Sequence, residues 1–351
     1  MPIYQGFRYS DRKDHILIRA YCGDDIDVNV PATIKGKPVT EIAPFAFVPE
    51  ADQKWIPHND FLKRCTNRIR SIYLPETILR LDLAFSCCFD LEEVFLPRSI
   101  ESIGTGCFKR CEKLRTIHVD DGNNLYCSKN GILYSKDGRS LFCCPAAHSL
   151  QTANYLDGVE IIERSAFEFC QNLKAVTIPP SVHTINGGAF YGCHNLESVT
   201  LHENLSLTDT AHFGHCTSLS SIVYYNMDQL IPSDEFNNCT NLKSIDIQSK
   251  IRTIGNSAFF ASGLTDIVIP NGTKGINESA FMHCTALKTV SIPRSVSRIH
   301  QTAFWRCGLD YSSDTQTEKG CQTDTITTFI VVPGSKAEEF CRNMGYSSMC
   351  E

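Results

Sequence analysis

Cysteine and histidine are the residues here whose chemistry is most conspicuous. Eighteen cysteines occur in 351 residues, among them the adjacent pairs Cys87-Cys88 and Cys143-Cys144, and two follow histidine directly, as His215-Cys216 and His283-Cys284. Thiolate with imidazole suggests zinc. The spacing argues otherwise. No C-x-x-C pair with a matching second half appears, and adjacent residues of a strand point to opposite faces. The expectation is therefore no metal and no cofactor. A disulfide scaffold belongs to short secreted chains dense in cysteine. Here Cys65, Cys88, Cys111, Cys170, Cys193, Cys216, Cys239, Cys284 and Cys307 instead recur at one position of a repeat. They are expected as a column of buried free thiols, small enough for the inside of a turn, with S–H groups available to backbone carbonyls. Ser262 takes that place in one shortened copy.

Signatures of catalysis are missing: the chain has no G-x-S-x-G, H-E-x-x-H, Walker loop or EF-hand spacing. No enzyme and no catalytic residues are expected. The run Gly104 to Lys109, GTGCFK, resembles a phosphate loop only superficially, because its siblings read NGGAF and GNSAF and the glycine serves a turn. Four N-x-S/T sequons, at Asn204, Asn238, Asn271 and Asn277, matter only in a secretory pathway, and Asn238 flanks a repeat cysteine.

The elements that must position these residues are set by the repeat. Anchored on the Phe of A-F-x-x-C, the series runs Phe85, Phe108, Phe167, Phe190, Phe213, Phe236, Phe259, Phe281, Phe304, at intervals of 23, 59, 23, 23, 23, 23, 22 and 23. A degenerate earlier copy places Phe61 and Cys65 correspondingly. Each copy has two phrases. The first, L-x-x-V/I-x-I/L, as in LEEVFLP (91–97) and LKAVTIP (173–179), alternates apolar and polar residues and reads as a short strand closed by Pro. The second, V/I-x-x-I-x-x-x-A-F-x-x-C, as in VHTINGGAFYGC (182–193), suits a compact turn or short helical return that packs inward. A unit this small cannot bury its apolar side alone, so copies must stack and supply each other's core.

A period of 20–29 residues with this strand phrase marks leucine-rich repeats. The 23-residue form with L-P and A-F-x-x-C resembles the BspA-like, or Treponema-type, leucine-rich repeat family over nearly the whole chain. Residues 6–47 are similar to that family's N-terminal segment, and TTFIVVPGSKAEEFCRNMGY (327–346) resembles its strand-P-G-S-x-A-helix closure. The resemblance implies a curved solenoid used for binding, commonly on bacterial surfaces, and carries over no catalytic residues. The expected fold is a single right-handed leucine-rich-repeat solenoid of α/β-type repeats. Its short parallel strands return through helical or plain turns, with one small β-hairpin insertion.

The organisation follows from the breaks in the period. Residues 1–50 read as an N-terminal cap leading into the first repeat, 51–119 and 159–309 as repeats, and 328–351 as a C-terminal cap. The long interval holds NNLYCSKNGILYSKDGRSLFCCP (123–145), where Asn130-Gly131 and Asp137-Gly138 signal hairpin turns, so 120–158 reads as a β insertion. Residues 310–327 are polar and turn-rich and read as a loop outside the pattern.

What remains for function is the strand face. Apolar positions of the first phrase point inward, so the intervening residues are expected on the concave, solvent side. One column reads Ser71, Glu93, Thr116, Ala175, Ser198, Ser221, Ser244, Asp266, Thr289, and the next Tyr73, Phe95, His118, Thr177, Thr200, Val223, Asp246, Val268, Ser291. Tyr73, Phe95 and His118 fall in three successive strands, and Tyr and Phe are enriched at interface cores. Packing of those rings against the 120–158 insert is the bland alternative. Tyr224 and Tyr225 form a second, weaker candidate. The expected partner-binding residues are thus Tyr73, Phe95, His118, Thr177, Thr200, Val223, Tyr225 and Asp246.

Composition narrows the partner. A net charge of −6 and a pI near 6.0 argue against nucleic acid, whose sequence-independent capture rests on Lys and Arg. Lys63 to Arg115 is locally basic, but interleaved acids make it a mixed solvated surface. No apolar run approaches the ~18–20 residues a membrane span needs. The start, MPIYQGFRYSDRKDH, has no apolar signal region. A cytoplasmic place is expected if the chain is complete as given, and the cell surface or secretion if a leader has been removed. The favoured function is a non-enzymatic protein-binding scaffold. The alternative is a bacterial surface adhesin for a host extracellular protein or glycan.

Overall fold

The structure, a computed structural model, describes residues 1–48, 68–152, 157–308 and 327–350. Phe61, Cys65 and most of the expected loop at 310–327 lie outside the described residues. By its contacts the chain divides into two compact units, Met1–Ser149 with Ile161–Asn172, and Leu150–Glu160 with Leu173–Glu351. In both, the architecture is a leucine-rich-repeat solenoid of short parallel strands.

The first unit opens with a five-stranded sheet in the spatial order Ile3–Tyr4, Phe7–Asp11, Ile16–Tyr21, Lys37–Ile42, Thr33–Ile34. Its first-phrase strands form a parallel ladder in the order Asp27–Asn29, Ser71–Tyr73, Glu93–Leu96, Thr116–Val119. The insertion supplies three antiparallel strands, Tyr126–Lys129, Ile132–Ser135 and Ser140–Cys143. It also covers the edge of Thr116–Val119: Ile117 N–H donates to Gly131 O at 2.9 Å, and Ser128 Oγ donates to Ile117 O at 2.5 Å. In the second unit the first-phrase strands run Ala175–Thr177, Ser198–Thr200, Ser221–Tyr224, Asp246–Ile247, and then Asp266–Val268, Thr289–Ile292, Thr328–Val331, Ser348–Cys350. The helix Lys336–Met344 starts at Ser335, whose side chain accepts from Glu338 N–H, and ends on Gly345 in the left-handed region.

The second phrase contains a strand that the sequence reading missed. Its I-x-x-I segment ends in two extended residues that pair in parallel with the next copy: Arg80–Leu81 with Ser102–Ile103, and Leu230–Ile231 through Thr253–Ile254 and Gly275–Ile276 to Arg298–Ile299. Two residues are too short for alternation to be visible in sequence, but a ladder of them is cooperative in space.

The return is a turn rather than a helix, because one position in every described copy, and a second in most of them, sits in the left-handed region. The residue before each repeat cysteine or its Ser262 equivalent, namely Cys87, Arg110, Phe169, Gly192, His215, Asn238, Ala261, His283 and Arg306, has φ between 51° and 71°. Only one of these is glycine. What over-determines the conformation is the next copy. Phe236 N–H donates to Ala258 O at 2.7 Å and Asn238 N–H to Phe260 O at 2.8 Å, and the same pair of bonds links Phe259 and Ala261 to Ala280 and Met282.

The core is a stack of these turns. In the second unit Phe190, Phe213, Phe236, Phe259, Phe281 and Phe304 lie ring over ring, with centroids 5.0–6.0 Å apart and planes within 20°. In the first, Phe47, Phe85 and Phe108 also stack, at 5.4 and 5.6 Å with planes 25° and 18° apart. The cysteine column stands beside them, with every described member buried and outside any disulfide. Five thiols are aimed at a Phe carbonyl one copy back: Cys111 at Phe85 O (3.0 Å), Cys216 at Phe190 O (3.2 Å), Cys239 at Phe213 O (3.1 Å), Cys284 at Phe259 O (2.9 Å) and Cys307 at Phe281 O (2.8 Å). Cys170, which follows the insertion, points instead to Cys144 O at 3.6 Å. Burial pushes the thiols of Cys111, Cys216, Cys239 and Cys307 well above their ordinary range, so they stay protonated donors. Ser262 Oγ lies 3.3 Å from Cys284 Sγ, taking the same post.

At the Ala position of the turn, two successive copies carry His212 and Glu235, both fully buried. His212 Nδ1 and Glu235 Oε2 are 2.6 Å apart, the same oxygen accepts His212 N–H at 3.1 Å, and His212 Nε2 donates to Thr208 O at 2.7 Å. Against the lowering by burial, the Glu235 carboxylate raises the pKa of His212.

Two outcomes follow for this core. In timed thiol labelling with mass mapping, the exposed Cys22 and Cys350 should react at once, and the column thiols only at the rate of unfolding. Glu235→Ala should cost about 3–5 kcal/mol in denaturant unfolding, whereas His212→Ala with Glu235→Ala, which restores the Ala of sibling copies, should recover most of that loss. A raised histidine stabilises fully below its unfolded value and loses that contribution as pH rises through its folded value. The wild type should therefore weaken with rising pH above about 6.5 relative to the double variant.

Candidate functional site

The ladder Asp27–Asn29, Ser71–Tyr73, Glu93–Leu96, Thr116–Val119 fixes which side chains share its outer face. Its register pairs Asp27, Ser71, Glu93 and Thr116 in one row and Asn29, Tyr73, Phe95 and His118 in the next. Val28, Ile72, Val94 and Ile117 between them are buried. Residues with their side chains outward in successive strands stand about 4.8 Å apart, close to the thickness of two aromatic rings. Tyr73 and Phe95 accordingly stack with centroids 4.2 Å apart and planes 9° apart, and Phe95 and His118 at 4.3 Å and 6°.

The expected aromatic cluster is therefore a three-ring ladder, and its rings pack on one another. Tyr73 keeps 39% of its surface in solvent, Phe95 is half-buried, and the His118 side chain is 44% exposed. Because the ring faces meet each other, the ladder presents its edges outward. Polar groups flank it: His118 Nε2 lies 3.1 Å from Glu93 Oε2, Ser71 Oγ donates to Asp27 Oδ1 at 2.7 Å, and Arg70 Nε lies 3.3 Å from Glu92 Oε1.

Asp27 and Asn29 belong to this face and were missed in sequence, where residues 1–50 read as a cap leading into the first repeat. The signal was present. IDVNVP (26–31) carries the same alternation and closing Pro as LEEVFLP.

On the second unit the other expected residues fall in one row. Thr177 is opposite Thr200, Thr200 opposite Val223, and Val223 opposite Asp246. Thr177, Thr200 and Asp246 are exposed and Val223 half-buried. Tyr225 follows the strand Ser221–Tyr224 and is half-buried. Tyr224 is corrected: it is fully buried and sits edge-on to Phe236 at 5.5 Å, because the alternation of that strand turns it inward. Val268, in the corresponding row beside Ser291, is 72% exposed.

Among the described residues no three His, Cys, Asp or Glu side chains are grouped to hold a metal ion, and no helix is long and apolar enough to cross a membrane. The surface can make apolar edge contacts and hydrogen bonds. Nothing in its geometry activates a nucleophile.

Comparisons with known proteins agree with this architecture. The family model for the BspA type leucine rich repeat region matches in 6 copies over residues 54–133, 138–262 and 226–319. The crystal structure of a leucine-rich repeat protein from Eubacterium ventriosum is similar at 20% identity and a TM-score of 0.59, over 72% of this chain and 86% of that one. A leucine-rich repeat protein from Bacteroides ovatus is 17% identical over 99% of each chain, with a TM-score of 0.47. A leucine rich cell surface protein from Faecalibacterium prausnitzii is 19% identical over 96% of each, with a TM-score of 0.42. No curated protein matches the chain.

Phe95 is the middle rung of the ladder and touches two rings. Phe95→Ala should lower stability by about 1–3 kcal/mol in denaturant unfolding, and Tyr73→Ala, which removes one ring pair, by about half as much.

Proposed function

The chain belongs to the BspA type leucine-rich repeat family, and on that premise we propose that it is a non-enzymatic scaffold holding a protein partner on the strand face of its N-terminal unit. The observation that carries this reading is the part-exposed ladder Tyr73–Phe95–His118. Aromatic side chains fixed by stacking have already lost their rotamer freedom, so a partner that covers them meets a smaller ordering cost. They also supply the kind of anchor around which interface energy concentrates. The flanking Glu93, Asp27 and Arg70 form a polar rim that sets register. The row Thr177, Thr200, Val223 and Asp246, with Tyr225 beside it, is a second, polar contact surface on the other unit.

Replacing Tyr73, Phe95 and His118 together by Ser should abolish retention of the partner on immobilised protein, assayed well below the melting temperature. Folding is checked by circular dichroism, and Thr177→Glu with Thr200→Glu serves as the parallel variant. Unchanged retention by the triple variant, or loss only with the threonine variant, would move the site off the ladder.

A further inference from the structure

The parallel ladder of the first unit ends on an open strand. Among the described residues Asp27–Asn29 pairs only with Ser71–Tyr73, and it is the outermost strand of its sheet. Ser71 N–H donates to Ile26 O at 3.2 Å, and Val30 N–H donates to Tyr73 O at 3.0 Å. Alternate residues of a strand turn their backbone groups to opposite edges. Asp27 and Asn29, both exposed, therefore hold their N–H and C=O groups away from the ladder. The other end of the same ladder is covered by the insertion, through Gly131 O and Ser128 Oγ on Ile117.

An open edge is a template for another strand, and proteins usually guard one with Lys, Pro or a bulge. Asp27–Asn29 has none of the three. An apolar residue leads into it instead. Ile26 is 43% exposed, at a place where sibling strands carry Arg70, Glu92, Arg115, Lys174, Glu197 and Lys288.

Charge selects the occupant. Asp24, Asp25 and Asp27 are all exposed at this edge. Tyr21 Oη donates to Asp25 Oδ2 at 2.9 Å and Ser71 Oγ to Asp27 Oδ1 at 2.7 Å. Arg70 of the next strand is held by Glu92, and among the described residues no Lys or Arg is paired with the three aspartates. A second copy pairing edge to edge would set these acids against their own counterparts. A strand bearing Lys or Arg on alternate residues would meet Asp27 on the outer face, and its other side chains would lie on the Ile26 side. Resting on the reading that this strand face holds a protein, we propose that its edge receives an extended, cationic peptide segment of the partner. The segment is a further strand of the ladder, hydrogen-bonded to the backbone of Asp27 and Asn29. In such strand addition the main chain supplies affinity and the alternate side chains supply specificity.

The test is calorimetric titration of the full chain with the blocked peptide acetyl-KTKVKT-amide. Its Glu counterpart acetyl-ETEVET-amide and a copy with every backbone amide N-methylated are titrated in parallel. The cationic peptide should bind in the submillimolar range and the other two about tenfold more weakly or worse. Its binding should also slow hydrogen–deuterium exchange over residues 24–30. Asn29→Pro removes an N–H that the native ladder does not use. Asp24→Asn with Asp25→Asn and Asp27→Asn removes the charge and keeps the acceptors. Each should weaken binding about tenfold with the circular dichroism unchanged. Phe95→Ser with His118→Ser, two and three strands from the edge, should change it by less than about twofold. If Asn29→Pro does not fold, the N-methylated peptide blocks the same bonds from the partner's side. No binding of the cationic peptide, equal binding of either counterpart, or full binding by Asn29→Pro would overturn the proposal. Loss with the Phe95 and His118 variant but not with Asn29→Pro would overturn it too, and would leave the ring ladder standing as the contact. A wild-type dimer that Asn29→Pro dissociates would overturn it by giving the edge to a second copy.

Discussion

Neighbouring turns of this protein are tied together by a shared acceptor. The carbonyl of each repeat Phe takes a hydrogen bond from the N–H of its own turn's cysteine or Ser262, as Phe236 O does from Cys239 N–H. The carbonyls of Phe85, Phe190, Phe213, Phe259 and Phe281 take a second from the S–H of the following copy, as Phe213 O does from Cys239 Sγ. A carbonyl has two lone pairs, and burial makes leaving either unused costly. A thiol meets the requirement with little volume. The ring above and the thiol beside thus come from different copies, and neither turn is complete without its neighbour. Cooperativity in repeat proteins has this origin.

That dependence also explains where departures are tolerated. The copy shortened to 22 residues keeps its place because Ser262 can stand in the cysteine column. Two changes at the Ala position are tolerated because they fall in adjacent copies and answer each other, His212 on Glu235. The left-handed residues ahead of each cysteine are strained by about 1–2 kcal/mol apiece when they are not glycine. They persist because backbone bonds to the next copy hold them. The insertion obeys the same rule at its edge, supplying Gly131 O to the free N–H of Ile117. Inside, it fails to supply a ring for Phe108, and the structure keeps a cavity there.

A fixed register makes the outer face a list of columns. Two positions per strand, repeated at the spacing of neighbouring strands, decide its chemistry. Where those positions are small and hydroxylic, the face is a hydrogen-bonding floor. Tyr73, Phe95 and His118 share a row, and the strand spacing itself brings their rings into contact. A binding surface can change in such a protein by point substitution without touching the core, since the two sets of residues alternate along each strand.

The amino-acid sequence by itself determined the repeat, the inward and outward residues of the first strand, the thiol column and the three aromatic positions of one row. All of these are periodic, and periodicity survives in one dimension. The family and the solenoid followed from the same signal. Only the tertiary structure decided the rest. The second ladder is built from strands of two residues, too short to show alternation. The left-handed turns are populated in several copies by Cys, Arg, Phe and Ala, which carry no turn signature, because bonds from the next copy rather than local preference impose the conformation. Tyr224 reads with Tyr225 as an outward candidate but is buried against Phe236, since it holds the closing inward position of its strand phrase, where Ile178 and Leu201 of sister copies are buried too. The burial of Glu168 beside Lys109 depends on how a 36-residue excess packs against a turn far along the chain, and no local pattern encodes that distance.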